Sequence, residues 1–167
     1  MNALPTTLEV GGFCLRPVQS TDEPFLLRLF AEGRQAEQVL MGLPSPMWDR
    51  FVQSQFQLRL AHYRLTYPQA EHRVIERGGQ NLGCLHWNES PSNLHVVDIA
   101  LLSACQRQGC GSMLMQFLQQ RAQSLGVGMS LYVAVDNTAQ SWYGRLGFVS
   151  DGPSTLHQLM RWSPHSV

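Results

Sequence analysis

A chain of 167 residues, 44% of them hydrophobic, is long enough for one α/β domain with a substantial core. Twelve basic and twelve acidic residues cancel to a formal charge of zero, which argues against nucleic acid as a main partner and is compatible with a homodimer. No apolar run approaches membrane-spanning length, no basic-then-apolar segment lies near Met1, and the four cysteines (Cys14, Cys84, Cys105, Cys110) show no Cys-x-x-Cys spacing, so the expectation is a cytoplasmic protein with reduced thiols, no metal and no membrane partner.

In chain order, residues 8–16 read as a first strand interrupted by Gly11-Gly12. Ser20-Thr21-Asp22-Glu23 has the pattern of a capping box, with Pro24 in the first turn and Phe25, Leu26, Leu29 and Phe30 on one helical face. The chain breaks at prolines between 40 and 46. A long helix is predicted over 46–65, with Ser45 as cap and Trp48, Phe51, Val52, Phe56, Leu60 and Tyr63 as its apolar stripe. Residues 71–76 and 81–87 form strands about the Gly78-Gly79 turn. A further turn spans 88–93.

The next stretch carries the most information. Val96-Val97-Asp98-Ile99-Ala100-Leu101-Leu102 is short, β-branched and almost continuously apolar, the pattern of a buried strand. Gln106-Arg107-Gln108-Gly109-Cys110-Gly111 follows, and Met113, Leu114, Phe117, Leu118, Ala122 and Leu125 then recur at helical spacing. Glycines at a helix start leave the backbone approachable, and first-turn N–H groups have no partner inside the helix, so the site suits an anion, above all phosphate. A nucleoside triphosphate loop would need Gly-Lys-Ser/Thr here, and no lysine follows the glycines. A dinucleotide fingerprint would need a third glycine where Leu114 stands. Strand 130–135 is followed by Asp136-Asn137-Thr138-Ala139-Gln140-Ser141-Trp142-Tyr143-Gly144-Arg145-Leu146-Gly147-Phe148, and after a Gly152-Pro153 turn a last strand covers 155–162.

The Gln-x-x-Gly-x-Gly loop and the Asn137–Tyr143–Gly147-Phe148 block, in this order with one helix and one strand between them, resemble the GNAT superfamily of N-acetyltransferases. The resemblance is strongest over 96–148 and extends loosely over 8–162. It implies a single domain over 1–167 with a mixed, mostly antiparallel sheet of six to seven strands flanked by about four helices. It further implies acetyl-CoA as co-substrate and a primary amine as acceptor, attacked directly in a ternary complex. No pattern identifies that acceptor. By the same resemblance, backbone groups of Ile99, Ala100, Leu101 and Leu102 face the pantetheine arm and thioester, while Gln106, Arg107, Gln108, Gly109, Cys110, Gly111 and Ser112 hold the pyrophosphate. Asn137 lies near the cofactor arm, and Tyr143 is the candidate general acid for the leaving thiolate.

The proton acceptor is left open by the residues. Some family members use a Glu on the strand holding Asp98 or on the one holding Ala134, and this chain has none at either. Period-two alternation sets His95 and Asp98 on opposite faces of their strand. Each is a candidate base, with Asp98 also readable as an amine anchor or as a structural partner of Arg107, Arg73 or a backbone amide. His86 and Glu89 are further candidates, Glu89 with the plainer reading of a turn charge. A mechanism using ordered water alone is equally open. So is a rival class, an acyl-CoA-binding or interaction module that keeps the scaffold without the chemistry.

Overall fold

The computed structural model describes residues 4–164. Among these, eight strands pair in the order β1-β2-β3-β4-β5-β6-β8-β7, and the chain gathers into two compact units. One unit comprises Met1–Leu85 with Ala100–Gln106, the other His86–Ile99 with Arg107–Val167.

In the first unit, β1 (Leu8–Val10) and β2 (Phe13–Pro17) are an antiparallel hairpin closed by Gly11-Gly12. Both glycines have positive φ, which turns the predicted single strand into two. Strand β2 pairs antiparallel with β3 (Glu71–Arg77), and β4 (Gln80–Glu89) begins here. Phe13, Leu15, Val74, Ile75 and Leu85 are fully buried. Helix α1 (Glu23–Glu32) and helix α3 (Ser45–Thr66) pack through Leu26, Leu29, Phe56 and Cys84, with Phe30, Leu60, Ala100 and Leu102 beside them. Arg34 lies over the rings of Phe30 (5.1 Å) and Phe51 (5.5 Å), and Arg59 over Phe30 (5.3 Å) and Tyr63 (5.2 Å), so guanidinium groups alternate with aromatic faces between the helices.

The helix starts differ in detail from expectation. The capping box falls one residue early: Gln19 and Asp22 exchange it, around a 3-10 turn at Ser20–Asp22 that precedes α1. Its reason is Arg16, whose two terminal nitrogens grip both oxygens of buried Asp22 at 2.8 Å while its Nε reaches Glu76 at 2.7 Å. Helix α3 has Pro44, not Ser45, at its cap position. Helix α2 (Gln35–Met41) was not expected, because it buries no residue and therefore has no apolar stripe to read; Arg34–Glu37 and the left-handed Gly42 bound it.

In the second unit, β5 (Asn93–Leu101, its last two residues in the first unit) runs parallel to β6 (Gly128–Ala134). Strand β8 (His157–Trp162) pairs antiparallel with β6 and with the two-residue β7 (Val149–Ser150). Helix α4 (Cys110–Leu125) buries Cys110, Leu114, Met115, Leu118 and Ala122 (i, i+4, i+5, i+8, i+12); of the expected stripe Leu114, Leu118 and Ala122 are buried, while Met113, Phe117 and Leu125 are half-buried. Each fully buried aliphatic side chain in that stripe contributes about 1.5–3 kcal/mol. Leu94, Val96, Met129, Leu131, Val133 and Met160 complete the unit's core, and Trp87 meets Phe117 edge-on at 6.2 Å. Helix α5 (Ala139–Arg145) precedes β7. The count is thus eight strands and five α-helices among the described residues, against the six to seven and about four expected; the split first strand, the short β7 and the stripe-free α2 account for the difference.

Candidate active site

Strands β5 and β6 pair only from Asn93↔Gly128 to Val96↔Leu131, although both continue beyond that point. Strand β6 stays on β8 as far as Ala134↔His157, so Val97, Asp98 and Ile99 part from Tyr132, Val133 and Ala134. The result is a wedge inside the second unit, whose edges carry backbone N–H and C=O groups that are not used between β5 and β6.

The end of β5 is positioned in the first unit. Position 83 must be glycine, because a Cβ there would overlap the carbonyl oxygen of Ala100 and meet Leu101 Cδ2 at 2.9 Å. Leu102 donates its N–H to the Leu82 carbonyl at 2.9 Å. A 3-10 turn, Ser103–Cys105, follows, and Gln106 closes it by donating Nε2 to the Leu101 carbonyl at 2.9 Å. Gln106 is therefore occupied in shaping the turn. Ile99, Ala100, Leu101 and Leu102 lie in sequence along this segment and are all half-buried.

The loop then enters the second unit at Arg107, the one non-glycine residue with positive φ (59°) among those described. That conformation costs an L-residue about 1–2 kcal/mol. Gly109 (φ 81°) caps α4, and the helix's first bond runs from Met113 N–H to the Gly109 carbonyl at 3.0 Å. The amides of Cys110, Gly111 and Ser112 thus lie outside the helical ladder, at the positive end of a 16-residue helix. A Cβ built on Gly109 meets nothing within 4 Å, so the loop opens onto free space there. Arg107, Gln108 and Gly109 are exposed. These features suit a pyrophosphate: amide donors at a helix start, a side-chain-free approach and a cationic residue beside it.

A hydrogen bond of its neighbour fastens the helix of Tyr143 to the loop. Trp142 donates its indole N–H to Ser112 Oγ at 3.1 Å, fastening α5 to the first turn of α4. Tyr143 itself is only 9% exposed, its ring 4.7 Å from Trp142 and 5.9 Å from Phe148. Burial, and after it the negative charge of Asp98, pushes its phenol up to about 12. Asn137 uses its side-chain oxygen to accept the Ala139 N–H at 2.8 Å, which makes it a turn residue at the start of α5.

The candidate bases separate. His95 directs Nδ1 to Ser130 Oγ at 2.9 Å, and that oxygen also accepts Asn93 Nδ2 at 2.7 Å. Its ring stands edge-on to Tyr132 at 5.7 Å, and burial, opposed by a hydrogen bond to the Ser130 backbone, holds its pKa below the ordinary histidine value, so the imidazole is neutral at pH 7. Asp98 is half-buried on β5, and its charge contributes to the raised pKa of Tyr143. Arg73, one sequence candidate for pairing with Asp98, binds Glu71 and the carbonyls of Pro5 and Thr6. Glu89 is no loose turn charge. Arg121 grips both its oxygens at 2.9 and 3.0 Å and the Trp87 indole donates at 3.0 Å; burial raises its pKa, but Arg121 and Trp87 together outweigh burial and leave it below the usual value. His86 is buried in β4. Sequence reasoning missed the Asn93–Ser130–His95 cluster and the Glu89–Arg121 pair, whose partners are over thirty residues apart and leave no local pattern. Among the described residues no group of three His, Cys, Asp or Glu side chains is arranged to hold a metal ion, and no helix is long and apolar enough to cross a membrane.

A parallel pair of strands that parts beside an amide-bearing helix start defines an acyltransferase architecture of the GNAT type. The acetyltransferase (GNAT) domain model matches residues 68–150, and the chain belongs to this superfamily of N-acetyltransferases. The fold is similar to that of the PaiA N-acetyltransferase from Thermoplasma acidophilum in complex with coenzyme A (TM-score 0.67, 11% identity, 90% of this chain and 98% of that one). An acetyltransferase from Thermus thermophilus superposes with a TM-score of 0.62 at 18% identity (93% and 97% covered). RimL, a ribosomal L7/L12 alpha-N-protein acetyltransferase in its apo form, does so at 0.61 and 20% identity (93% and 92%). A comparison with curated proteins finds no match.

Proposed function

We propose that this chain acts as one catalytic domain, an acetyl-CoA-dependent N-acetyltransferase that acetylates a primary amine by direct attack in a ternary complex. The observation that carries this reading lies within the second unit. The opening of β5 from β6, the amides at the start of α4 that the helix does not use and the buried phenol of Tyr143 lie together: the Trp142–Ser112 hydrogen bond fastens α5 to the start of α4, and Asp98 is near enough to Tyr143 for its charge to raise the phenol's pKa. Bound acetyl-CoA supplies an activated acyl carbonyl and a thiol leaving group.

The chain's own contributions follow from its groups. The amides of Gln108, Gly109, Cys110, Gly111 and Ser112, with Arg107 beside them, hold the pyrophosphate. Backbone groups from Ile99 to Leu102 align the pantetheine arm, and an N–H directed at the developing oxyanion in a dry site is worth about 3–4 kcal/mol. Tyr143 stays protonated throughout the neutral range because its pKa is pushed up to about 12. A phenol that weak holds its proton more tightly than a thiol of pKa ~8.5, so Tyr143 donates a hydrogen bond to the departing sulfur rather than surrendering the proton outright. Asp98 anchors the incoming ammonium and a water takes its proton, because His95 lies on the opposite face of β5. Glu89 is excluded as base because Arg121 and Trp87 occupy its carboxylate.

That occupied carboxylate also supports a second reading, an acyl-CoA-binding module without transfer activity. Calorimetric titration with acetyl-CoA, followed by a thiol-release screen across small amines and peptide N-termini, separates the two. Micromolar binding with turnover supports the enzyme; binding without turnover on every amine class supports the module; no binding by the folded chain rejects both.

A further inference from the structure

The turn that delivers the chain into the phosphate loop is capped from 71 residues away. Ser103–Cys105 is one turn of 3-10 helix, too short to hold itself, closed by Cys105 N–H to the Leu102 carbonyl (2.8 Å) and Gln106 N–H to the Ser103 carbonyl (3.2 Å). Its first amide, on Ser103, has no acceptor within the turn. Glu32, the last residue of α1, supplies one: Oε1 accepts the Ser103 N–H at 2.6 Å. The Ser103 side-chain hydroxyl, and after it this N–H, hold the Glu32 carboxyl below its ordinary pKa. Three residues further on, the chain passes from Gln106 to the strained Arg107 and on to the amides at α4. Cys110 is buried and Ser112 is held by Trp142, so the stretch left for the lead-in to place is the exposed run Arg107, Gln108 and Gly109.

We infer that Glu32 is a positioning residue for acyl-CoA binding: its carboxylate, from the end of α1, pins the Ser103–Cys105 turn and thereby holds the amide-bearing loop in its binding conformation. The inference rests on the coenzyme A reading of the loop given above. Its action runs through one residue, Ser103, whose N–H and hydroxyl both reach the carboxylate, so it separates from a general contribution to folding. Removing both donors by Ser103→Pro is geometrically tolerated, because Leu102 already has the extended backbone (φ −51°, ψ 143°) that precedes a proline, and proline suits the first position of a helical turn.

The test measures the dissociation constant of free coenzyme A by calorimetry, and amide hydrogen exchange over residues 103–112, in the full chain without ligand. Glu32→Ala weakens coenzyme A binding about tenfold and speeds exchange at 107–112; Glu32→Gln, which keeps an acceptor oxygen without its charge, weakens it about threefold. In the Ser103→Pro background Glu32→Ala adds nothing further. Unchanged affinity and unchanged exchange at 107–112 in Glu32→Ala, with the wild type binding normally, overturns the inference. An undiminished Glu32→Ala effect in the Ser103→Pro background also overturns it, because Glu32 would then act through another group. If the wild type binds no coenzyme A, the functional reading fails. The exchange at 107–112 then decides the Glu32 clamp by itself: acceleration in Glu32→Ala supports it and an unchanged rate overturns it.

Discussion

The loop proposed to hold the pyrophosphate and the side of the wedge proposed to handle protons belong to the same compact unit but are made of different material. The loop works through backbone: Gly109 at φ 81°, Arg107 at φ 59° and the three amides before the first bond of α4. The other side works through side chains whose states their neighbours decide: Tyr143 weakened as an acid by burial and Asp98, His95 kept neutral beside Ser130, Glu89 kept charged by Arg121. A backbone site is sensitive to any Cβ or charge set among its amides. A side-chain site tolerates such changes and responds to the loss of a particular partner.

The sharpest way to break this comparison is Gly109→Glu. The new carboxylate would enter the open space beside the loop and repel a pyrophosphate, and acetyl-CoA affinity should fall by at least about a hundredfold in a calorimetric titration. Gly109→Ala shares the backbone strain but adds neither length nor charge, so it should lose far less. Equal losses in the two would mean that strain, not access to the amides, governs the loop.

Next in size is Tyr143→Phe. Loss of the hydroxyl should lower kcat about ten- to a thousandfold with acetyl-CoA affinity retained, as for removal of a proton-handling group. A fall in affinity with kcat preserved would make the ring a piece of the binding wall and erase the distinction drawn here.

Glu89 tests the structural end of the scale. Glu89→Gln leaves Arg121 without its partner in a largely buried setting and should cost about 3 kcal/mol of stability by chemical denaturation, with acetyl-CoA affinity intact in the folded protein. The sign with pH follows from its lowered pKa: the wild type gains this stability above the unfolded carboxylate value near 4.5 and loses it as pH falls through the lower folded value. The difference in melting temperature between wild type and variant should therefore shrink in acid. A difference independent of pH would show that packing, not charge, is at issue.

The smallest effect expected is spectroscopic. Asp98→Asn should bring the Tyr143 phenol down from about 12, though not to the ordinary value near 10, since burial is the larger cause. The ultraviolet difference between wild type and Tyr143→Phe, followed through alkaline pH, reads this directly. If the titration does not move, Asp98 does not act on Tyr143, and its part in the site rests on the amine alone. A changed acidic limb of the pH–rate profile in the same variant would assign Asp98 as base in place of an anchor.

The sequence by itself determined what depends on a residue and its near neighbours. Gly109 and Gly111 before Leu114, Leu118 and Ala122 announce a glycine-capped helix with a buried stripe, because left-handed backbone and helical period are local properties. The strand leading into that loop was legible for the same reason, as a short and almost continuously apolar run. Tertiary structure alone decided the rest. Arg121 closes on Glu89 and Ser130 on His95 from over thirty residues away, and Glu32 caps Ser103 from 71. Helix α2 leaves Val39 and Leu40 more than 80% exposed although their composition reads as core. Hydrogen-bond partners, burial and hence proton affinity are properties of the surroundings that folding assembles, and no spacing along the chain encodes them one residue at a time.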